Sequence, residues 1–244
     1  ATRRDATPCG PAFAPLVIGR PGFRVLDGAP ADAGRVAHAA TLSALYATAA
    51  IMSAQAWEFL QQRRSVPSRL LGEPGPDPAQ LQALLELAVH VPDHGRLTPW
   101  RFVRVAGAAR IALGEKLAAI ALTRDPQADA ATLDKDRKRF SQAPVVLAVV
   151  SSIVRGHKIP EQEQLLSAGL AAYNLLLGAH ALGFGAQWLT GWVAYDAAVG
   201  ALFGLAANES IVAFVHIGTP REPATERARP AVAGLLSDLN LTSG

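Results

Sequence analysis

The chain has 244 residues and half of them are hydrophobic, enough for one ordinary domain with a proper core. Its formal net charge is only +3, and no Lys/Arg block or basic stripe interleaved with aromatics occurs, which argues against a nucleic-acid partner. The single cysteine, Cys9, excludes an intrachain disulfide and fits a reducing compartment; neither a paired Cys-x-x-Cys nor a His-Glu-x-x-His metal pattern is present, and a cytoplasmic protein without a metal is expected.

Residues 1–51 are rich in Ala, Gly, Pro and Arg, without sustained periodicity. Val36 to Ala56 is uncharged and long enough to suggest a membrane span, but Ala, Thr and Ser dominate it, so it is a weak hydrophobic anchor. The only methionine, Met52, stands just before the first amphipathic pattern. The expectation is therefore a disordered or non-native leader over 1–51 and a functional domain over 52–244.

From Ala54 the pattern becomes regular. Ala54 to Gln62 reads as a helix with Trp57 and Leu60 on one side, followed by Arg63-Arg64-Ser65. Gly72 to Pro78 is a Pro/Gly loop, and Pro78 opens a helix carrying Leu81, Leu84, Leu85 and Ala88 at helical spacing. Val91 to Trp100 is a loop and Phe102 to Ala106 alternates like a strand. Ile111 to Leu122 is helical, and Thr132 to Gln142 reads as a charged, exposed helix. Val145 to Val150 is a continuous β-branched run that suits a buried strand. Glu161 to Leu182 is a long Ala/Leu helix, apolar nearly all round, which must be buried in a core or against another subunit. Ala186 to Leu189 and Ile211 to Ile217 are further strands, and Arg221 to Gly244 is a polar tail with a short apolar end. Helices and strands mix without a βαβ rhythm, which favours an α+β sandwich over a doubly wound sheet.

Four segments carry possible chemistry. Arg63-Arg64-Ser65 offers forked guanidiniums and a hydroxyl suited to phosphate, although basic residues also simply cap helix C-termini. Pro92-Asp93-His94-Gly95-Arg96-Leu97-Thr98-Pro99-Trp100 is a stiff loop presenting donors and one flat aromatic, or merely a connector with an anchoring Trp. Gly183-Phe184-Gly185-Ala186-Gln187-Trp188 fails the dinucleotide fingerprint: a helix precedes it and Trp188 stands where the third glycine belongs, so Gly183 reads as a helix C-cap. Trp188-Leu189-Thr190-Gly191 could line a flat cofactor. His157-Lys158-Ile159-Pro160 opens the long helix. Pro92 interrupts the helix between His90 and His94, so they are not a helical metal pair.

Taken in order, these motifs, with Gly218-Thr219-Pro220 after the last strand, resemble the nitroreductase family, particularly its compact single-domain members. The likeness runs from about Ala54 to about Pro220. It implies a nitroreductase-like α+β sandwich, a central mostly antiparallel sheet flanked by helices, in a domain-intertwined homodimer with two FMN sites. It implies that Arg63 and Ser65 contact the FMN phosphate or ribityl chain with Arg64 beside them, that His94 and Thr98 reach FMN across the dimer interface, and that Trp188, Leu189 and Thr190 lie along the isoalloxazine. Arg221 is a looser phosphate candidate. The implied activity is hydride passage from NADH or NADPH through FMN to nitroaromatic, quinone or similar small acceptors, in a ping-pong cycle without an essential side-chain acid or base. Reductive dehalogenation, flavin fragmentation, a non-catalytic FMN-binding protein and a cofactor-free dimeric interaction protein remain as alternatives.

Overall fold

The computed structural model describes residues 54–239 and 241, so the expectations for residues 1–51, and most of Val36 to Ala56, lie outside the described residues. The first helix, α1, covers residues 54–62. It is followed by strand β1 (Leu71–Gly72), helix α2 (Pro78–Ala88), strand β2 (Trp100–Ala106), helices α3 (Ala108–Arg124) and α4 (Ala130–Lys138), and strand β3 (Val145–Ser152). Helix α5 (Glu161–Ala181), strand β4 (Gly185–Leu189), helix α6 (Ala197–Leu202) and strand β5 (Glu209–Pro220) complete the domain.

Strand β5 is the spine of the sheet. β3 pairs with it on one edge and β4 on the other, β1 pairs with its last two residues, and β2 pairs with β3; all four pairings are antiparallel. An irregularity in the β3–β5 ladder, where Val149 faces Ala213 but Val150 faces Ile211, makes Val212 an extra residue. It resets the alternation. Ala213, Val215 and Ile217 face one core with Leu84 and Ala88 of α2 and Ala172, Leu175 and Ala179 of α5. Ile211 and Phe214 face a second core with Leu117 of α3, Phe140 and Val199 of α6. The architecture is thus helices on both faces of an antiparallel sheet, an α+β fold.

Local chemistry sets the element boundaries. Asp77 and Gln80 form a reciprocal capping box at α2, with Pro78 in its first turn. Asp129 accepts a bond from the Thr132 amide, so α4 starts at Ala130 rather than Thr132, and it stops at Lys138 rather than Gln142. The expectation of an exposed helix over Thr132 to Gln142 fails at Asp136, which is 3 % exposed, and at Phe140, which is fully buried in the second core. Gly183 (φ 79°) ends α5 with paired bonds, Gly183 N to His180 O and Phe184 N to Ala179 O, the Schellman pattern expected of a C-cap. Gly218-Thr219-Pro220 lies inside β5 rather than after it, because Gly185 and β1 extend the pairing. Two elements escaped the sequence reading: β1 is two residues long and α6 six, too short for any periodicity.

The long helix α5 is not sheathed all round within one chain. Its small residues Ala168, Ala171, Ala172 and Ala179 are fully buried, whereas Leu165, Leu166, Leu170 and Tyr173 are 39–60 % exposed. Among the described residues, no helix is long and apolar enough to cross a membrane.

Candidate functional site: an arginine-lined cleft

The stretch after α1 is pinned to the edge of the sheet. The Val66 amide donates to Ala186 O of β4 (3.0 Å), the Ser68 amide to Gln187 Oε1 (2.5 Å), and Ser68 Oγ to Gln142 Oε1 (2.7 Å). Buried Val66, Leu71 and Ala143 pack beneath it. This leaves Arg63, Arg64 and Ser65 lining a cleft of about 470 Å³. Its other walls are Gln187 of β4 and a run of the C-terminal tail containing Glu226, Arg227 and Arg229. Four arginines therefore face one carboxylate. Arg63, Arg64 and Arg229 also border an adjoining cleft of about 580 Å³ with Leu60 and Tyr173.

The two arginines after α1 divide the labour the sequence left open. Arg64 is the helix cap, donating through Nη1 to the carbonyls of Gln61 and Arg63 (3.1 Å to the latter). Its Nε and Nη2 fork onto Glu226 at 2.6–3.0 Å, tying the tail down. Arg63 lies over the Tyr173 ring, 5.8 Å from its centroid. Burial, and then the charges of Arg63 and Arg64, hold His180 below the usual imidazole range; its ring is 4.9 Å from that of Phe59.

His94 and Thr98 belong to a separate cluster. Both Asp93 carboxylate oxygens accept backbone bonds, from Leu97 N (3.0 Å) and Thr98 N (2.9 Å). That wraps the loop so tightly that Gly95, Arg96 and Thr98 have φ of 70°, 54° and 49°. A β-branched residue there is strained, and such strain clusters at functional positions. The loop is fastened to the start of α5 by Ser167 Oγ donating to Pro92 O (2.6 Å) and by His94 Nδ1 with Glu163 Oε2 (2.8 Å). Trp100 is the anchor that the simpler reading expects, 7 % exposed against Ala168 and Ala171. His94 thus sits at Glu163, while Arg63 sits at Tyr173. Ten residues of helix separate these contacts, ~15 Å at ~1.5 Å per residue.

Trp188, Leu189 and Thr190 continue β4 beyond Gln187, all half-buried, with Trp188 opposite Val215 and Leu189 opposite Phe214. Arg221 does not line the arginine cleft: its amide bonds Leu70 O (2.9 Å) and its side chain packs over Gly72. The residues that sequence reasoning missed are Gln187, Arg227 and Arg229. An Arg-x-Arg pair before Pro230 was readable, but nothing local told where the tail would lie. Among the described residues, no cluster of three or more His, Cys, Asp or Glu could hold a metal ion.

Helices on both faces of an antiparallel sheet, with a basic cleft at the edge strand and a strained loop at the far end of the longest helix, define the class. Comparison with known proteins then makes the assignment. Residues 60–219 match the sequence pattern of the Nitroreductase family. An Escherichia coli (strain K12) protein provisionally named as an NAD(P)H nitroreductase, YdjA, is 37% identical over 168 residues, covering 68% of this chain and 88% of its own. A Haemophilus influenzae protein provisionally named in the same way is 34% identical over 172 residues, covering 70% and 91%. Among solved structures, a Desulfovibrio desulfuricans protein provisionally named as a nitroreductase, in complex with FMN, superposes with a TM-score of 0.58 at 25% identity, covering 76% of this chain and 96% of that one. A nitroreductase-like protein of Bacillus cereus shares the fold with a TM-score of 0.63 at 21% identity, covering 74% and 94%. The chain belongs to the nitroreductase family.

Proposed function

We propose that this protein is an FMN-dependent oxidoreductase that passes hydride from NADH or NADPH to nitroaromatic, quinone or similar small acceptors. The observation that carries the reading is the arginine-lined cleft. A phosphate monoester bears close to two negative charges at neutral pH, and four guanidiniums against one carboxylate leave the cleft with the positive excess such a group needs. The relatives support the same reading by name, the E. coli protein for its nicotinamide donor and the Desulfovibrio structure for its bound FMN.

On this reading Arg63, Arg227 and Arg229 hold the phosphate with the Ser65 hydroxyl, while Arg64 keeps the tail in place through Glu226. Trp188, Leu189 and Thr190 lie along the flavin ring. Bound FMN would supply the redox chemistry, taking up hydride from reduced nicotinamide and releasing electrons to an acceptor that uses the same site in turn. The chain's own task is binding, orientation and exclusion of water, with no side-chain acid or base required.

The ~15 Å of helix α5 between Glu163, which holds His94, and Tyr173, which holds Arg63, is why we infer a homodimer. The exposed Leu165, Leu166, Leu170 and Tyr173 lie between the two clusters on α5. A two-fold axis that packs α5 against its copy in antiparallel sense sets the Glu163 end of one helix beside the Tyr173 end of the other. His94 and Thr98 of one copy then complete the site of the second.

Anaerobic visible spectroscopy tests the proposal. Purified protein supplied with FMN should hold it through gel filtration, and NADPH or NADH should bleach its absorbance. Arg63→Ala should weaken FMN binding by about tenfold or more, as expected for loss of a charged hydrogen bond worth ~1.5–3 kcal/mol. Protein that takes up no FMN, or binds it and is not reduced by either nicotinamide, refutes the assignment.

A further inference from the structure

A carboxylate buried on a charged surface helix needs a reason. Asp136 is the only buried residue of α4. Its Oδ1 accepts three N–H groups: Arg139 Nε (3.1 Å), Arg139 Nη2 (2.6 Å) and the Trp192 indole Nε1 (3.2 Å). Trp192 opens the turn that leaves β4, directly after Thr190 and Gly191. The other face of the turn is held as well. Arg124 lies over the Trp192 ring, 4.8 Å from its centroid, and pairs with Asp196 (2.9 Å), which caps α6 through the Ala198 and Val199 amides.

Arg139 closes the clasp. With Nε and Nη2 committed to Asp136, its Nη1 lies 3.6 Å from the point where a Cβ on Gly191 would sit. Gly191 has φ 79°, so the backbone takes a left-handed bend against the guanidinium. The side chain of Arg139 is 19 % exposed and that of Asp136 4 %. Burying such a pair is seldom the most stable solution; apolar residues of equal volume often do as well. What an ion pair provides and apolar packing does not is direction, here a fixed bearing on Trp192 and Gly191.

We propose that Arg139, acting through Asp136 and Trp192, is a positioning residue for the flavin ring: the clasp fixes the Thr190–Gly191 turn where β4 meets the isoalloxazine. The inference rests on the FMN assignment above. It separates two tasks in space, since neither Asp136 nor Arg139 lines the arginine cleft. Phosphate anchoring and ring positioning should therefore respond to different substitutions.

Two variants test this. Asp136→Leu/Arg139→Met replaces the pair with apolar groups and leaves no buried charge behind. Trp192→Phe cuts the indole bond and leaves the ion pair intact. In both, FMN affinity should stay within about threefold of wild type, because the phosphate contacts remain. The visible circular dichroism of the bound flavin should change, and hydride transfer from NADPH should slow by about tenfold, the cost of a mispositioned ring. In cofactor-free protein, the amides of residues 189–192 should exchange with deuterium about tenfold faster. Wild-type dichroism, hydride-transfer rate and exchange in both variants overturn the inference and leave the FMN assignment standing. Wild-type protein that fails to bind FMN overturns both.

Discussion

His216 makes this fold sensitive to mild acid, and one substitution should remove that sensitivity. It sits on β5 between Val215 and Ile217, 1 % exposed, paired across the strands with Gln187 and Val146. Its ring stacks on Phe140 at 5.8 Å and 23°, and neither nitrogen has a hydrogen-bond partner among the described residues. Burial, reinforced by the charge of Arg139, pushes the imidazole down to about 4 from an ordinary 6.5. Between those values the unfolded chain binds a proton that the folded chain refuses. Stability therefore rises with pH through this window: it is fully present above ~6.5 and is lost as pH falls towards ~4. The whole difference, ~2.5 pH units at ~1.36 kcal/mol each, is ~3.4 kcal/mol, of which ~2 kcal/mol is already gone at pH 5. Against a total of ~5–15 kcal/mol this is a large share.

His216→Leu keeps an apolar side chain of similar size in the same core and removes both unpartnered nitrogens. Urea unfolding of wild type and variant, at one protein concentration and followed by far-ultraviolet circular dichroism, measures the effect at pH 8 and pH 5. The stability of the variant relative to wild type should increase by ~2 kcal/mol between the two pH values. Other titrating groups, His180 among them, are common to both proteins and cancel in the difference. A relative stability that is the same at both pH values, within ~0.5 kcal/mol, refutes the reasoning, because the imidazole would then take up its proton alike in both states.

Gly114→Ala should destabilise the protein by about 2 kcal/mol or more, since a Cβ there overlaps the Arg137 carbonyl where α3 crosses α4; a thermal melt measures it, and an unchanged midpoint contradicts the close crossing. Leu166→Glu with Leu170→Glu should turn the proposed dimer into a monomer in light scattering and abolish FMN retention while the arginine cleft is untouched; a variant that stays dimeric moves the interface elsewhere. Arg229→Ala should raise the Kd for FMN about tenfold, whereas Arg221→Ala should leave it within about threefold; fluorescence titration separates them, and the reverse order would restore Arg221 as the phosphate contact.

Legibility followed the range of the interaction. Pro78 announced α2, and its apolar spacing marked Leu84 and Ala88, both buried, because a first-turn proline and periodicity act within a few residues. The unbroken run at Val145 to Val150 read as a buried strand, and all six residues are buried. Gly183 was legible as a cap because the helix before it and Trp188 after it, both within a few residues, decide between a cap and a dinucleotide loop. Failures came where the partner is remote. Asp136 sits in a run of charges, and Trp192, the partner that joins it to the turn after β4, stands 56 positions on. Arg64 meets Glu226 across 162 positions, so the fold of the tail, and with it Arg227 and Arg229, left no local trace.

The motifs behind the family resemblance are each weak alone for the same reason. Arg63–Ser65 and Pro92–Trp100 look unrelated in sequence, and within one chain they stay ~15 Å apart along α5. The outward Leu166, Leu170 and Tyr173 between them are where a solitary domain would carry polar side chains. On the proposed reading, this apolar stripe joins two half-sites of a chain whose cofactor site takes in a second copy. On that reading neither half is an active site alone: the arginine cleft supplies positive charge, and the His94 loop of the second copy would bring its strained turn to it.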